Sequence, residues 1–270
     1  MAEPAPEVGL HWDEVDGTRT GVAVLTLQRQ ERMNALTVSM GAAFEVAIGS
    51  LAMEPDLRAV VLTGAGKAFS AGGDLDFLEE RAAASPQHNS EEMRAFYRRY
   101  LSVRQLPVPV LAAVQGPAIG AGLCLALACD VRIAATKAKL GFTFVSLGLH
   151  PGMGATFFLP ALVGPQAASR LLLTGDVIDG EEAARLGLVS EAVPDAETLE
   201  VTLAYARRMA AAGPVAVRSL VRSLRLQDER GLEQALWREA DAQAQCYATS
   251  DFLRGISALR DKSKAKFEGR

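Results

Sequence analysis

Cysteine and histidine, which form disulfides and bind metals in many proteins, are scarce in this chain of 270 residues. The three cysteines are odd in number and form no CxxC pair, which is typical of reduced thiols in a cytoplasm and excludes a disulfide framework. Only three histidines occur, so a histidine-rich metal site is not expected. The sequence therefore predicts a cytoplasmic protein without a metal centre.

Long apolar runs and basic runs are missing as well. No apolar run reaches the length that spans a bilayer, and the start MAEPAPEVG has neither a basic n-region nor an apolar h-region. The formal net charge is −4, and no basic stripe with interleaved aromatic residues appears. We therefore expect a soluble protein that binds neither membranes nor nucleic acid.

Strand and helix patterns alternate along the first two thirds of the chain. Residues 37–53 have helical spacing, with Thr37 placed to cap the helix. Short runs rich in β-branched residues predict strands at 21–28, 58–64, 107–116 and 131–136. This order is typical of the α/β class.

The character of the chain changes after Pro194, where helical periodicity continues almost to the end. We expect an α/β core over residues 1–195, with residues 1–9 disordered, and a helical region over 196–270. The stretch AAASPQHNSEE (82–92) is predicted to be a polar, mobile loop.

Two glycine turns are the most informative local features. The stretch GKAFSAGGDLDFL (66–78) follows one predicted strand, and AIGAGLCLALACD (118–130) follows another. In each case the glycines precede a helix, so that free backbone N–H groups are presented at the turn. One such turn is often only a tight connection, but two convergent N–H donors can stabilise the oxyanion of a thioester enolate.

A second interpretation of the glycines is excluded by the tyrosines. The run GPAIGAG fits GxxxGxG, which resembles the dinucleotide-binding turn of short-chain dehydrogenases. Those enzymes place the motif near the N-terminus and need a Tyr-x-x-x-Lys pair. The residues four places after the four tyrosines are Leu101, Arg104, Met209 and Asp251. None is lysine.

Taken together, the motifs resemble the crotonase (enoyl-CoA hydratase/isomerase) superfamily. The resemblance is carried by RQERMNAL, AFSAGGDL, GPAIGAGLCLALACDVRIAA, GLHPGMGAT and LLLTGDVIDGEEAARLGLVSEAV, from about residue 20 to the C-terminal tail. It implies an α/β spiral of ββα units with a C-terminal helical region, assembled as a trimer or hexamer. It also implies an acyl-CoA thioester as substrate. Coenzyme A is then part of the substrate, and no tightly bound cofactor is expected.

The resemblance also assigns binding residues. The oxyanion donors map to the backbone N–H groups of Gly73 and Ala121. The adenine of coenzyme A would lie against the loop formed by Ser70, Ala71, Gly72, Asp74 and Leu75. The pantetheine would border Asn34, Ala35 and Leu36, and the cations expected near the phosphates are Arg32, Lys264 and Lys266.

The acids of the family are missing from their usual places. The two glutamates of the hydratases map to Cys124 and Phe144, and the aspartate that some isomerases use maps to Gly152. Hydration is therefore expected to be weak. Asp74 and His150 are possible substitutes, and Cys124 is expected to be a core residue rather than a nucleophile.

Two functions stay open at this point. One is an atypical hydratase or isomerase that relies on its oxyanion hole or on a relocated acid, and the other is a non-catalytic acyl-CoA binding protein. The family resemblance favours an enzyme. Part of an apolar C-terminal face is expected to pack across a trimer interface, and its residues are Leu220, Leu224, Leu232, Leu236, Trp237 and Leu253.

Overall fold

The structure is a computed structural model that describes residues 6–226 and 229–268. The strands are β1 (Val8–Val15), β2 (Thr18–Leu27), β3 (Ala59–Gly64), β4 (Val110–Val114), β5 (Ala118–Ile119), β6 (Val131–Ala135), β7 (Leu140–Gly141), β8 (Val177–Ile178) and β9 (Glu191–Val193). The helices are α1 (Val38–Ala52), α2 (Leu75–Ala82), α3 (Pro86–Leu101), α4 (Ala121–Leu127), α5 (Ala155–Thr174), α6 (Gly180–Arg185), α7 (Thr198–Ala210), α8 (Pro214–Leu226), α9 (Glu229–Tyr247) and α10 (Ser250–Arg260).

The strands form two sheets. The larger has the order β1-β2-β3-β4-β6-β9, and all its pairs except β1–β2 are parallel. The smaller has the order β5-β7-β8. Parallel strands need crossover connections, and the helices between β2 and β9 supply them. The predicted α/β class is confirmed.

The predicted strands and the first helix are confirmed, with shifts at their ends. Strand β4 begins at Val110, later than predicted, since Pro107 and Pro109 have no N–H to donate to a neighbouring strand. The Thr37 hydroxyl accepts the N–H of Met40 at 3.0 Å, which caps α1 as expected.

The predicted loop over 82–92 is wrong, because α3 begins within it. Ser85 caps this helix by accepting the N–H of His88, and Pro86 stands at the first helical turn, where its missing N–H costs nothing. The apolar face of α3 is buried against α1 and α9, and this packing outweighs the polar composition of the first turn.

The predicted disorder over residues 1–9 is also wrong in part. Val8 and Gly9 belong to β1 and pair with Leu27 and Thr26 of β2. Residues 1–5 lie outside the described residues.

The helices after residue 195 pack against the α/β part of the chain. On α7, Leu203 and Ala206 pack on one face of the larger sheet, so this helix completes the core that the sheet begins. On α8, the buried Arg225 forms an ion pair with Asp130 and donates to the carbonyl of Leu106 at 2.7 Å. In the described part of the chain, no helix is both long enough and apolar enough to cross a membrane.

The residues of the predicted trimer face divide into two groups. Leu232 and Leu236 are buried in the protein's own core, so they are not free to meet a partner. The side chains that stay exposed are Leu220, Leu224, Trp237 and Leu253.

Candidate active site

The two glycine turns are joined by backbone hydrogen bonds. The N–H of Ser70 donates to the carbonyl of Pro117 at 3.1 Å, and the N–H of Ile119 donates to the carbonyl of Ser70 at 3.0 Å. A Cβ at Gly122 would lie 2.6 Å from the Ser70 carbonyl oxygen, so only glycine permits this approach. The turns after β3 and β4 therefore form one unit.

The N–H groups of Gly73 and Ala121 are left without acceptors. Leu36 forms a parallel bridge with Gly73, and this bridge uses the N–H groups of Leu36 and Asp74 but not that of Gly73. Ala121 is the first residue of α4, so its N–H has no partner within the helix. Among residues 6–226 and 229–268, neither N–H donates a hydrogen bond.

The two donors lie close together across the paired turns. A Cβ at Gly72 would be 2.7 Å from the carbonyl oxygen of Ile119 and 3.6 Å from the nitrogen of Ala121. Gly72 also has a φ of +95°, which residues with a side chain rarely adopt. Residue 72 must therefore be glycine for two reasons. Its φ is positive, and the backbone of the second turn leaves no room for a Cβ.

A buried asparagine holds the first turn in place. The Asn34 amide donates to the carbonyls of Ala65 and Ala68 at 2.9 and 2.8 Å, and its oxygen accepts the N–H of Arg29. The Ser70 hydroxyl donates to the Asn34 carbonyl at 2.8 Å. The side chain of Ser70 is fully buried and does not line the cavity, so the predicted contact of this residue with coenzyme A stays a prediction.

Both free donors line a cavity of about 760 Å³, a size typical of small-molecule sites. Its walls are mainly apolar, and they include Phe77, Leu78, Met93, Phe96, Phe144, Leu149 and Met153. Arg32 and Lys264 also line it and are exposed, so positive charge lies where the cavity meets solvent. The arrangement can bind a long apolar molecule with a polarisable carbonyl and an anionic end.

The other residues predicted to contact coenzyme A lie in different places. Ala35, Ala71, Gly72, Asp74 and Leu75 all line the cavity. Lys266 does not, although its neighbours Ala265 and Phe267 do, so the predicted role of this lysine is not supported by its position.

Comparison with known proteins identifies the family. The family described as Enoyl-CoA hydratase/isomerase matches residues 17–270, which is nearly the whole chain. The chain belongs to the enoyl-CoA hydratase/isomerase family.

Individual relatives agree with this assignment over their full length. The crotonyl-CoA hydratase of Syntrophomonas wolfei is 37% identical over 247 residues, which covers 91% of this chain and 94% of the relative. A crystal structure of an enoyl-CoA hydratase from Mycobacterium avium subsp. paratuberculosis superposes with a TM-score of 0.85 and 28% identity, covering 98% of this chain and 100% of the other. The crystal structure of an enoyl-CoA hydratase from Bacillus halodurans gives a TM-score of 0.83 at 26% identity, covering 93% of this chain and 99% of the other. These relatives support the preference for a hydratase or isomerase type of enzyme.

Cys124, which the family resemblance maps to the first acid, is fully buried and does not line the cavity. Its thiol donates to the carbonyl of Gly152 at 3.3 Å. Burial raises the pKa of Cys124 well above its ordinary value, so the thiol stays protonated at neutral pH. A nucleophilic thiolate is therefore not available at this position.

Phe144, at the second acid place, lines the cavity beside the second glycine turn. Its ring would lie 3.7 Å from a Cβ at Gly120, the residue before the Ala121 donor. An apolar ring therefore stands directly next to the Ala121 donor.

Gly152, at the third acid place, is covered by two polar side chains. A Cβ there would come closer than 3.0 Å to the Tyr97 hydroxyl and to the Gln243 amide nitrogen. The Tyr97 hydroxyl donates to the Gln243 amide oxygen at 2.6 Å, and the Gln243 amide donates to the carbonyl of His150 at 2.8 Å. Both side chains line the cavity. The space for an acid at residue 152 is therefore filled by this pair.

The two possible substitute acids are both engaged elsewhere. Asp74 caps α2 by accepting the N–H of Asp76, and its other oxygen pairs with Arg29 at 3.1 Å. The His150 ring lies within 2.6 Å of the Pro151 carbonyl and does not line the cavity. Burial lowers the pKa of His150, so its imidazole is neutral at pH 7.

A buried carboxylate that the sequence analysis did not single out lies behind the cavity. Glu239 accepts the N–H groups of Gly154 and Thr156 and the Thr156 hydroxyl, at the start of α5. Burial raises its pKa, while these three donors act in the opposite direction. Its position fixes the turn that follows Gly152.

A pattern in the sequence could have identified these polar residues. Glu239 and Gln243 stand at helical spacing from the buried Leu232 and Leu236, on the inner face of α9. Polar side chains on an otherwise apolar helical stripe need buried partners. Tyr97 is likewise a side chain with a polar group on the buried face of α3.

Gly152→Ala should lower the free energy of unfolding by about 1–3 kcal/mol, because its Cβ overlaps Tyr97 and Gln243. Gly49→Ala is the matched control: it lies in α1 with open space around it, and should leave stability unchanged or raise it by up to about 1 kcal/mol. Urea denaturation of both variants is the measurement. Equal stabilities would show that the Tyr97–Gln243 pair does not fill this space.

Proposed function

We propose that the protein binds acyl-CoA thioesters and stabilises the enolate oxyanion with the N–H groups of Gly73 and Ala121. The observation that carries this proposal is that Gly73 and Ala121, whose N–H groups have no acceptor among the described residues, line the same mainly apolar cavity. In a site with little water, such fixed donors stabilise a developing negative charge far better than they would in solution. Family membership supports the same substrate class.

The rest of the coenzyme would follow the wall of the cavity. Ala35 and Ala71 offer small apolar surfaces along it, and Arg32 and Lys264 stand at the exposed end. Phosphates are favoured at that end because the cations there remain hydrated and accessible. The acyl group would then extend into the apolar interior, past Phe144.

The reaction we infer is a weak hydration or a proton shift on an enoyl thioester. Asp74 is the only carboxylate among the described residues that line the cavity, and it is held by Arg29. The same observation favours a second candidate, a non-catalytic acyl-CoA binding protein that retains only the binding half of the site. Turnover of a short and a long enoyl-CoA distinguishes these two functions.

Ala121→Pro should weaken thioester binding at least tenfold, because proline removes one donor. Proline is tolerated at the first position of a helix, so the fold should survive. Ala121→Gly keeps the N–H and is the control, with affinity expected within about threefold of the wild type. Calorimetric titration with butyryl-CoA measures both variants. An unchanged affinity in folded Ala121→Pro would place the carbonyl elsewhere.

Wild-type hydration of crotonyl-CoA should be at least about 100-fold slower than that of a typical family hydratase, because each general acid or base contributes ~10²–10⁴-fold. Phe144→Glu places a carboxylate on the cavity wall and should raise the rate. Phe144→Leu removes the ring without adding an acid, and should not. Adding Cys124→Glu should lower the melting temperature, because that position is fully buried and close to Glu239.

Steady-state turnover decides this prediction. A wild-type rate within tenfold of a typical family hydratase would mean that a relocated acid is present, and the inferred weak hydration would be wrong. No turnover on any enoyl-CoA, together with tight binding, would favour the non-catalytic candidate.

We also propose a homo-oligomer, a trimer or hexamer, that covers the exposed apolar side chains of α8, α9 and α10. Light scattering at micromolar concentration should give three or six times the 28.6 kDa of one chain. Leu224→Arg should lower that mass, whereas Met53→Arg, at an exposed residue directly after α1, should not. A monomeric wild type would contradict the proposal.

A further inference from the structure

One part of the cavity wall is apolar except for the side chains of Tyr97 and Gln243, which are hydrogen-bonded to each other. Tyr97 comes from α3 and Gln243 from α9, and they meet over Gly152. Both are buried, and neither belongs to the oxyanion donors or to the family's acid places. A polar pair in this setting adds nothing to an apolar acyl chain, and any hydrogen-bonding capacity that it has left suits a polar group on the ligand.

The hydrogen bonds within the protein use only part of the pair's capacity. The Tyr97 hydroxyl donates to the Gln243 oxygen at 2.6 Å, which leaves the phenol oxygen free to accept a hydrogen bond. The Gln243 nitrogen donates one hydrogen to the His150 carbonyl, which leaves its second N–H. Nothing else in the described chain forms a hydrogen bond with these atoms.

The remaining capacity consists of one acceptor next to one donor. A hydroxyl group satisfies both, since it can donate to the Tyr97 oxygen and accept from the Gln243 N–H. A carboxylate or a ketone only accepts, so it would leave the Tyr97 lone pair unmatched. Burial raises the pKa of Tyr97 well above its ordinary value, so the phenol is neutral and keeps this hydrogen-bonding pattern at physiological pH.

We propose that Tyr97 and Gln243 form a hydroxyl-binding subsite that selects hydroxyacyl-CoA thioesters over the corresponding unsubstituted acyl-CoA. This inference rests on the proposed function, since it places the acyl group in the same cavity as the Gly73 and Ala121 donors. The pair acts as a specificity determinant and transfers no proton. Water offers the same hydroxyl chemistry, so the test must separate a substrate hydroxyl from a bound water.

The test compares dissociation constants for butyryl-CoA, both enantiomers of 3-hydroxybutyryl-CoA, and 4-hydroxybutyryl-CoA. Two hydrogen bonds of about 0.5–1.5 kcal/mol each correspond to a preference of about 5- to 150-fold for the best hydroxyacyl ligand. Tyr97→Phe should reduce this preference at least threefold, because the phenol oxygen is lost. Tyr247→Phe is the matched control.

Tyr247 is a close match to Tyr97 in its surroundings. It is also buried and lines the same cavity, but its hydroxyl contacts only the Met93 sulfur, at 3.6 Å, among the described residues. Tyr247→Phe should therefore keep the preference within about twofold of the wild type. The preference of the wild type is informative even where a variant fails to fold.

The outcomes separate the two proposals. Equal affinities of the wild type for butyryl-CoA and for every hydroxyacyl ligand would overturn the subsite while leaving thioester binding intact. If affinities are equal and Tyr97→Phe slows crotonyl-CoA hydration at least tenfold relative to Tyr247→Phe, the bound hydroxyl belongs to water, and hydroxyacyl selection is overturned. Failure of all four ligands to bind would overturn the proposed function, and the subsite with it.

Discussion

The parallel pairing of β3 with β4 is the constraint on which the site depends. Neighbouring parallel strands end at the same edge of a sheet, so the turns that follow them meet there. The bridge between Ser70 and Ala118 continues this pairing beyond the strands, and it leaves the N–H groups of Gly73 and Ala121 unused. Backbone pairing positions these donors, and the side chains of Asn34 and Ser70 hold the first of the two turns in place.

Three titratable side chains in or near the wall of the cavity are held neutral by burial. Burial raises the pKa values of Tyr97 and Cys124 and lowers that of His150, so all three groups are uncharged near pH 7. Asp74 is charge-compensated by Arg29. In such surroundings fixed N–H dipoles interact strongly with an oxyanion. The function proposed above therefore rests on oxyanion stabilisation rather than on general acid–base chemistry.

Local patterns predicted much of this structure. The capping of α1 by Thr37, four of the strands and the two glycine turns followed from short stretches of sequence. The prediction of a loop at 82–92 was wrong because the burial of α3 against α9 depends on residues far away in the chain. For the same reason the meeting of Tyr97 with Gln243 over Gly152 could not be read from either helix alone.

Isotope-edited infrared spectroscopy of bound butyryl-CoA, labelled with ¹³C at the thioester carbonyl, tests the central claim most directly. Two donors at the carbonyl oxygen should polarise the bond and move its stretching band to lower frequency than in water. Ala121→Pro should lose much of this shift, while Ala121→Gly should retain it. A bound carbonyl that absorbs at its frequency in water, or a shift that survives in Ala121→Pro, would contradict the assignment of Gly73 and Ala121 as the oxyanion donors.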